Sequence, residues 1–405
     1  MSAPAGLPRL LAGVGAGMES SAGHQRRHGP LPTLSTTGLI EVVERSGLRG
    51  RGGADFPTAA KLRAVAARRK VSAVVVNGSE TEPASRKDVT LLEHVPHLVL
   101  DGAILCAHTV QADSVFVRMS ARAGAAIDSV ETAIAERAAG ETPIALVVGP
   151  DGYVGGEETA VIHQLESGIA KPTYTPPRPY EKGYRNRPTL IQNAETLAQI
   201  ALIARYGPAW YRQLGTDEDP GSTLLTVSGA VAKPGVYELS FGTPLHQLID
   251  AVGGPSEPLQ AVLVGGYFGN WLSIEDAWHT RLARESLREH GASLGAGVLV
   301  ALPARASGLA ECARIASYLA DQSAGQCGPC IHGLRAIADG VQELADGTAS
   351  AGTLERVRRW CGEVDGRGAC HHPNGAARFV LSSLRVFSHE LAAGEPASRR
   401  RRQAV

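Results

Sequence analysis

The sequence predicts an α/β fold followed by a small β-rich domain and a helix bundle, and three observations carry the prediction. Apolar runs at 71–76, 114–117 and 144–148 alternate with helical patterns such as those over 38–45 and 58–67, an alternation that implies a mainly parallel, helix-covered sheet. From Ser222, short β-rich runs at 224–227 and 235–239 are punctuated by Gly229, Pro234 and Gly242, with one helical pattern over 245–252. From about Ser307, apolar residues recur at helical spacing, first as Ile331, Leu334, Ile337, Val341, Leu344 and later as Val380, Leu384, Phe387, Leu391; these stripes predict a bundle. The expected domains are 35–221, 222–303 and 304–395, between an N-terminal arm over 1–34 and a basic tail over 396–405.

A chain of 405 residues with 43% hydrophobic content has room for several cores, since single cores stop growing near roughly 250 residues. Its 40 basic and 40 acidic side chains cancel, so no global field draws nucleic acid, which is not an expected partner. No window approaches the roughly 20 continuous apolar residues of a membrane-spanning helix. The N-terminus lacks the order of a secretory signal, because Gly13, Gly15 and Gly17 dilute the few apolar residues after Arg9. A cytoplasmic protein is expected, with peripheral attachment to a membrane complex left open. Residues 1–34, rich in Ala, Gly, Ser, Pro and Arg around an apolar turn at Leu10 and Leu11, read as a mobile or loosely docked arm. The tail arginines 399–402 read as solvated. Six cysteines are too few for a disulfide scaffold, and the placing of Cys327, Cys330 and Cys370 in the last fifth favours metal or redox chemistry.

The sharpest local signal is Gly47-Leu48-Arg49-Gly50-Arg51-Gly52-Gly53-Ala54-Asp55-Phe56-Pro57-Thr58, a glycine loop entering a helix. Backbone NH groups at such a junction bind phosphate, and Arg49, Arg51 and Lys61 can add charge. Its spacing is neither Walker A nor the dinucleotide G-x-G-x-x-G. A second segment, Asn77-Gly78-Ser79-Glu80-Thr81-Glu82-Pro83, follows the apolar strand residues Val74, Val75 and Val76, and loops at the carboxyl ends of parallel strands are where open α/β sheets bind ligands. A third, Tyr153-Val154-Gly155-Gly156-Glu157-Glu158-Thr159, puts glycines and two carboxylates before a helix; a fourth, Thr189-Leu190-Ile191-Gln192-Asn193-Ala194-Glu195-Thr196, supplies amides suited to a polyhydroxyl chain.

These four segments, in this order and at similar separations, resemble the flavoproteins that form one family across respiratory complex I, NAD-linked hydrogenases and formate dehydrogenases. The resemblance runs from about Gly38 to Leu391. It implies a Rossmann-like FMN-binding domain, a soluble-ligand-binding β-grasp domain and a C-terminal helix bundle with iron-sulfur cysteines. It implies FMN held by Gly50, Arg51, Gly52, Gly53, Lys61, Asn77, Ser79, Gly156, Glu157, Gln192, Asn193 and Thr196. NAD(P)H would bind near Phe56, Glu82, Glu158 and Arg178. The implied mechanism is hydride transfer from a nicotinamide to the flavin, which then releases electrons singly to an iron-sulfur centre, the flavin doing the chemistry and no side chain acting as nucleophile. A ferredoxin-like or 2Fe-2S protein, or a membrane reductase component, would accept them. The alternative is a non-catalytic or flavin-only component of an electron-transfer complex that has lost NADH oxidation.

The chain departs from the family pattern in several places. Asp55 replaces a glycine, Ser79 an acidic residue, and Thr175-Pro176-Pro177-Arg178-Pro179 stands where the family has Lys-Pro-Pro-Phe-Pro. Arg178 is the candidate to compensate for the lost aromatic and lysine, including toward the extra phosphate of NADPH. Cys327 and Cys330, with Cys370 after 39 intervening residues, match three of the family's four cluster ligands, and Ala324 occupies the place of the first. Four readings stay open: an open or three-iron cluster; a fourth ligand from Ser323, Gln326, His332, His371 or His372; loss of the cluster; or a Cys-Gly-Pro-Cys dithiol. Cys106, Cys312 and Cys361 read as core residues, and the pair His371-His372 as solvated.

Overall fold

The computed structural model describes residues 6–15, 17–68, 70–137 and 142–393. The first domain runs α1 (Ser21–His28), α2 (Thr36–Ser46), α3 (Thr58–Ala66), β1 (Ser72–Gly78), α4 (Lys87–His94), α5 (Pro96–Val110), β2 (Ala112–Ser120), α6 (Ala125–Ala135), β3 (Ile144–Gly149), α7 (Glu158–Ser167), α8 (Pro179–Lys182), β4 (Thr189–Asn193) and α9 (Ala194–Tyr211). Its strands form one parallel sheet in the order β3-β2-β1-β4. Residues Ala73 to Val76 of β1 are fully buried, as a central strand covered on both faces requires. On one face Val74 and Val76 join a core with α2, α3, α5 and α9; on the other Val75 and Ile191 pack against Val161 and Ile162 of α7.

The chain leaves β1 for β2 and β3 on one side, then crosses to β4 on the other side of β1. Connections therefore diverge between β1 and β4, and such a switch point opens a crevice at the carboxyl ends of its strands. Asn77 and Asn193, register partners, lie at the carboxyl ends of these two strands, Asn193 as the last residue of β4 and Asn77 as the last but one of β1.

The second domain is a five-stranded mixed sheet of β5 (Ser222–Gly229), β6 (Gly235–Ser240), β7 (Leu259–Val264), β8 (Asn270–Ser273) and β9 (Val298–Pro303), ordered β6-β5-β9-β7-β8. β5 and β9 pair in parallel and the others antiparallel, the arrangement of a β-grasp. Helices Gly308–Asp321, Arg335–Ala345, Thr353–Val364 and His372–Val386 make the C-terminal bundle, which shares a core with β8 through Trp271 and Phe387.

Three expectations are corrected. The N-terminal segment is not a mobile arm: Arg9 and Leu10 are buried, Glu238 of β6 accepts the backbone NH of both, and α1 forms despite its polar sequence because tertiary packing overrides weak propensity. Ile331 is 46% exposed, because a π-helical turn over Pro329–Leu334 shifts the stripe's phase. His372 is buried, so the histidine pair is not solvated as a unit. The basic tail at 396–405 lies outside the described residues. Among the described residues no single helix is long and apolar enough to cross a membrane; α4 and α5 pass together but meet at 97°, and α5 is a buried core helix.

Candidate functional site

The four sequence segments meet at the switch point. The glycine loop closes through Gly50 N donating to Phe56 O (2.9 Å) and Thr58 N donating to Leu48 O (3.1 Å), which sets the loop against the N-terminus of α3. Gly52 lies against β4: an added Cβ would sit 3.2 Å from Asn193 Cβ. Arg51 N donates to Thr196 Oγ1 at 2.9 Å. Asn77 Nδ2 donates to Gly156 O at 2.8 Å, joining the second and third segments. Lys61 pairs with Glu158 across the crevice.

Some assigned side chains are turned to other tasks. The Arg51 guanidinium points away from the crevice, donating to Tyr211 Oη and Ser222 O and lying over the Phe241 ring, so this residue offers the loop its backbone rather than its charge. Arg49 is held by Asp55 at 2.9 Å. Asp55 itself has φ 48°, the left-handed region that Asp tolerates better than most residues; that is how it stands where the family has glycine. Asn193 caps α9, accepting from Glu195 N (3.0 Å), while its Nδ2 donates to Asp88 at 2.7 Å. Asp88 in turn shares buried Lys87 with Glu195, and the two carboxylates hold that ammonium charged despite its burial. Lys87 and Asp88 follow the second segment a few residues on, but nothing in the sequence assigned them this role.

Glu157 caps α7, accepting from Thr159 N (3.0 Å) and Ala160 N (3.2 Å). Glu82 is buried, accepting from Tyr153 Oη (2.9 Å) and Tyr267 N (2.8 Å). Burial pushes its carboxyl up to about 7 against those hydrogen bonds. Phe56 is 55% exposed, and Arg178 is exposed just before α8. The crevice retains unsatisfied polar atoms: Ser79 Oγ and Gln192 Nε2 are buried without a hydrogen-bond partner among the described residues. Open glycines, two unpaired polar groups and helix N-termini fit a phosphate-bearing, hydroxyl-rich ligand such as FMN.

Across Tyr153 lies a second cavity, lined by Ser323, Ala324, Cys327, Cys330, Cys370 and His372 among others. The Cys330 thiol is pushed up to about 12 by burial and further by Cys327 and Cys370 beside it, so as a free thiol it stays protonated and a metal would have to displace that proton. The three-cysteine donor set fits an iron-sulfur cluster, and Ala324 lines the wall where a fourth thiol would stand. His372 Nε2 donates to Leu319 O (2.7 Å), while its Nδ1 is buried without a partner among the described residues. Cys106, Cys312 and Cys361 are buried in cores, as expected.

Crevice and cavity share a wall. Tyr153, which holds Glu82, also packs edge-on against Phe268 (4.7 Å between centroids) and His372 (5.8 Å), and its NH donates to Gln322 Oε1 at 2.9 Å. A further cleft of about 340 Å³ lies on the outer flank of the glycine loop, with Arg49, Arg51, Arg284, Arg288 and Arg378 against Asp55 and Asp219.

Fold and site together define a doubly wound nucleotide-binding protein with a thiolate metal centre one aromatic layer away. Residues 43–202 match the Nuo51 FMN-binding domain, 224–266 the SLBB domain and 310–394 the NADH-ubiquinone oxidoreductase-F iron-sulfur binding region. The second F subunit of the NADH-quinone oxidoreductase of Rhizobium meliloti is 32% identical over 391 residues, covering 93% of both chains. The corresponding F subunit of Streptomyces coelicolor is 30% identical, covering 87% of this chain and 82% of that one, and that of Escherichia coli 29%, covering 93% and 88%. An NAD+-reducing [NiFe]-hydrogenase in its H2-reduced state superposes with a TM-score of 0.83 at 31% identity, over 89% of this chain and 63% of the hydrogenase chain. The chain belongs to the family of NADH-quinone oxidoreductase F subunits.

Proposed function

We propose that this chain oxidises NADH with FMN seated at the β1–β4 switch point and delivers the electrons to a four-iron cluster on Cys327, Cys330 and Cys370, as the electron-input component of a larger assembly. The observation that carries the reading is the shared wall: Tyr153 belongs to the flavin-side third segment and packs on His372, which lines the cysteine cavity. FMN, when bound, supplies acceptance of a hydride and release of its electrons one at a time.

The chain's own residues position and insulate. Gly50 and Arg51 shape the loop through their own backbone bonds to Phe56 O and Thr196 Oγ1; the amides of Gly52 and Gly53 and the α3 N-terminus bind the phosphate, while Asn77, Ser79, Gln192 and Asn193 take the hydroxyl and ring polar groups. Gly156 and Glu157 form the opposite wall, and Thr196 orients the loop through Arg51 N. Lys61, balanced by Glu158, keeps one cation beside the crevice without an uncompensated charge. Phe56 stands exposed to stack on the entering nucleotide, with Arg178 as the cation for its phosphates, NADPH included. Buried Glu82 acts through Tyr153, fixing the wall rather than transferring a proton. The acceptor is a ferredoxin-like or 2Fe-2S partner, or a membrane reductase component to which the protein attaches peripherally.

Anaerobically purified chain loaded with FMN is the test. Stoichiometric binding, and bleaching of the flavin band by NADH, is expected. FMN binding without bleaching by NADH or NADPH would leave a flavin-only component, and no FMN binding would remove the assignment.

A further inference from the structure

The described residues contain a buried cluster that the flavin chemistry does not use. Helix α1 places His24 and His28 one turn apart on one face, and Glu19 precedes the helix. One ligand atom from each of the three lies within 4.8 Å of the others. The site is enclosed: His24 is 4% and His28 8% exposed, and the Glu19 side chain 6%. Glu19 Oε2 and His24 Nδ1, 3.7 Å apart, are both buried without a hydrogen-bond partner among the described residues. Burying unsatisfied polar atoms costs on the order of 1–3 kcal/mol each, so two facing one another call for a third party.

The surroundings complete a metal-site pattern. His24 Nε2 lies 2.7 Å from Asp101 Oδ2 on α5, which fixes the proton on that nitrogen and directs the Nδ1 lone pair at Glu19; carboxylate–histidine support of this kind is the usual outer shell of a metal-bound imidazole. His28 Nδ1 meets Tyr206 Oη on α9 at 3.2 Å, which leaves Nε2 as the nitrogen for a metal. Arg137 and Arg205 pair with Asp101, Arg27 with Glu19, and His97 with Glu136, so the neighbouring charges are balanced before a cation arrives. Tetrahedral zinc with bonds of about 2.0–2.2 Å spaces its ligand atoms about 3.4 Å apart, close to the Nδ1–Oε2 separation.

We propose that Glu19, His24 and His28 form a structural zinc site, with water in the fourth position, which clips the N-terminal segment onto α5 and α9. The clip would also fix the preceding turn, whose Arg9 reaches Trp210 O and Glu238, and so tie the first domain to the second.

Zinc titration of the full-length chain purified anaerobically with its iron-sulfur cluster in place tests this, with the Cys330→Ser variant included because a vacated cysteine cavity can also take zinc. One zinc per chain is expected in both proteins, with X-ray absorption showing only nitrogen and oxygen neighbours and with a zinc-dependent rise in Tm. His28→Ala should weaken binding roughly 100-fold or more and abolish the Tm rise. Sulfur in the coordination shell, zinc lost with Cys330→Ser, or full affinity in His28→Ala would overturn the site. The absorption measurement on the unaltered chain decides even if a variant folds poorly.

Discussion

The flavin crevice and the cysteine cavity meet at Tyr153, yet they absorb sequence change in opposite ways. In the crevice Asp55 replaces a glycine by adopting φ 48° and pairing with Arg49, and Ser79 replaces an acid while keeping an unpaired oxygen at the site. In the proposed flavin site, binding would rest on backbone amides and on strand ends that the sheet topology fixes, so that few single side chains would be indispensable. In the cavity each iron takes one thiolate, and Ala324 has no atom to offer. Recognition through backbone is buffered against substitution; ligation through side chains is not.

The widest separation of the two regions comes from Cys330→Ser. It should remove the cluster's iron and visible absorption almost entirely, while FMN affinity stays within about threefold; joint loss would show that they are one unit. The reverse experiment is Gly52→Val, whose side chain would push on Asn193. At about 3 kcal/mol for forced overpacking, FMN binding should weaken roughly 100-fold, with iron content unchanged after reconstitution.

The wall between them has its own signature. Glu82 is protonated more readily folded than unfolded, its carboxyl rising from an ordinary 4.5 to about 7. Its contribution to stability is therefore fully present below about 4.5 and is lost as pH rises through about 7, a loss of up to about 3 kcal/mol by linkage. Glu82→Gln keeps hydrogen-bonding capacity toward Tyr153 and cannot ionise, so it should gain stability over the parent at pH 8 relative to pH 5 in denaturant titrations. Parallel pH profiles for the two proteins would refute the buried-carboxylate account. A smaller effect is expected of Ala324→Cys, a several-fold gain in iron retained after air exposure with FMN binding unaltered; equal iron loss would mean that the corner beside Ala324 is not the weak point.

How much was legible in the sequence follows the same divide. The glycine loop and the strand-end segments were readable because turn glycines and strand ends have local signatures, and the three thiols because cysteine spacing is explicit. What was missed depends on long-range packing. Arg51 looks like a phosphate ligand until Tyr211 and Ser222, far along the chain, claim its guanidinium. Asp88 becomes a positioning residue only when β4 brings Asn193 to it. The N-terminal segment, polar and glycine-rich, gave no sign that Glu238 and Asp101 would anchor it, although the His24–His28 spacing was a signal in plain view. β4 carries only five residues and was not among the runs read as strands, because its neighbours, not its own pattern, make it a strand.

The least disruptive test concerns the mouth of the crevice, where the sequence lost an aromatic and a lysine. If Arg178 supplies the missing attraction, its effect is exposed, single-sited and modest: stacking or a charge contact contributes on the order of 0.5–1.5 kcal/mol, about tenfold at most. Arg178→Phe then lowers kcat/KM for NADH by up to about tenfold and for NADPH by more, since the extra phosphate has the most to lose from removal of a cation. Because Arg178 is exposed and is proposed to meet the nucleotide rather than the flavin, the change should fall on KM and leave kcat and FMN content alone. Equal or better turnover with NADH would remove Arg178 from the site and return the search for a phosphate-binding cation to Lys61 and to the arginine-lined cleft on the outer flank of the glycine loop.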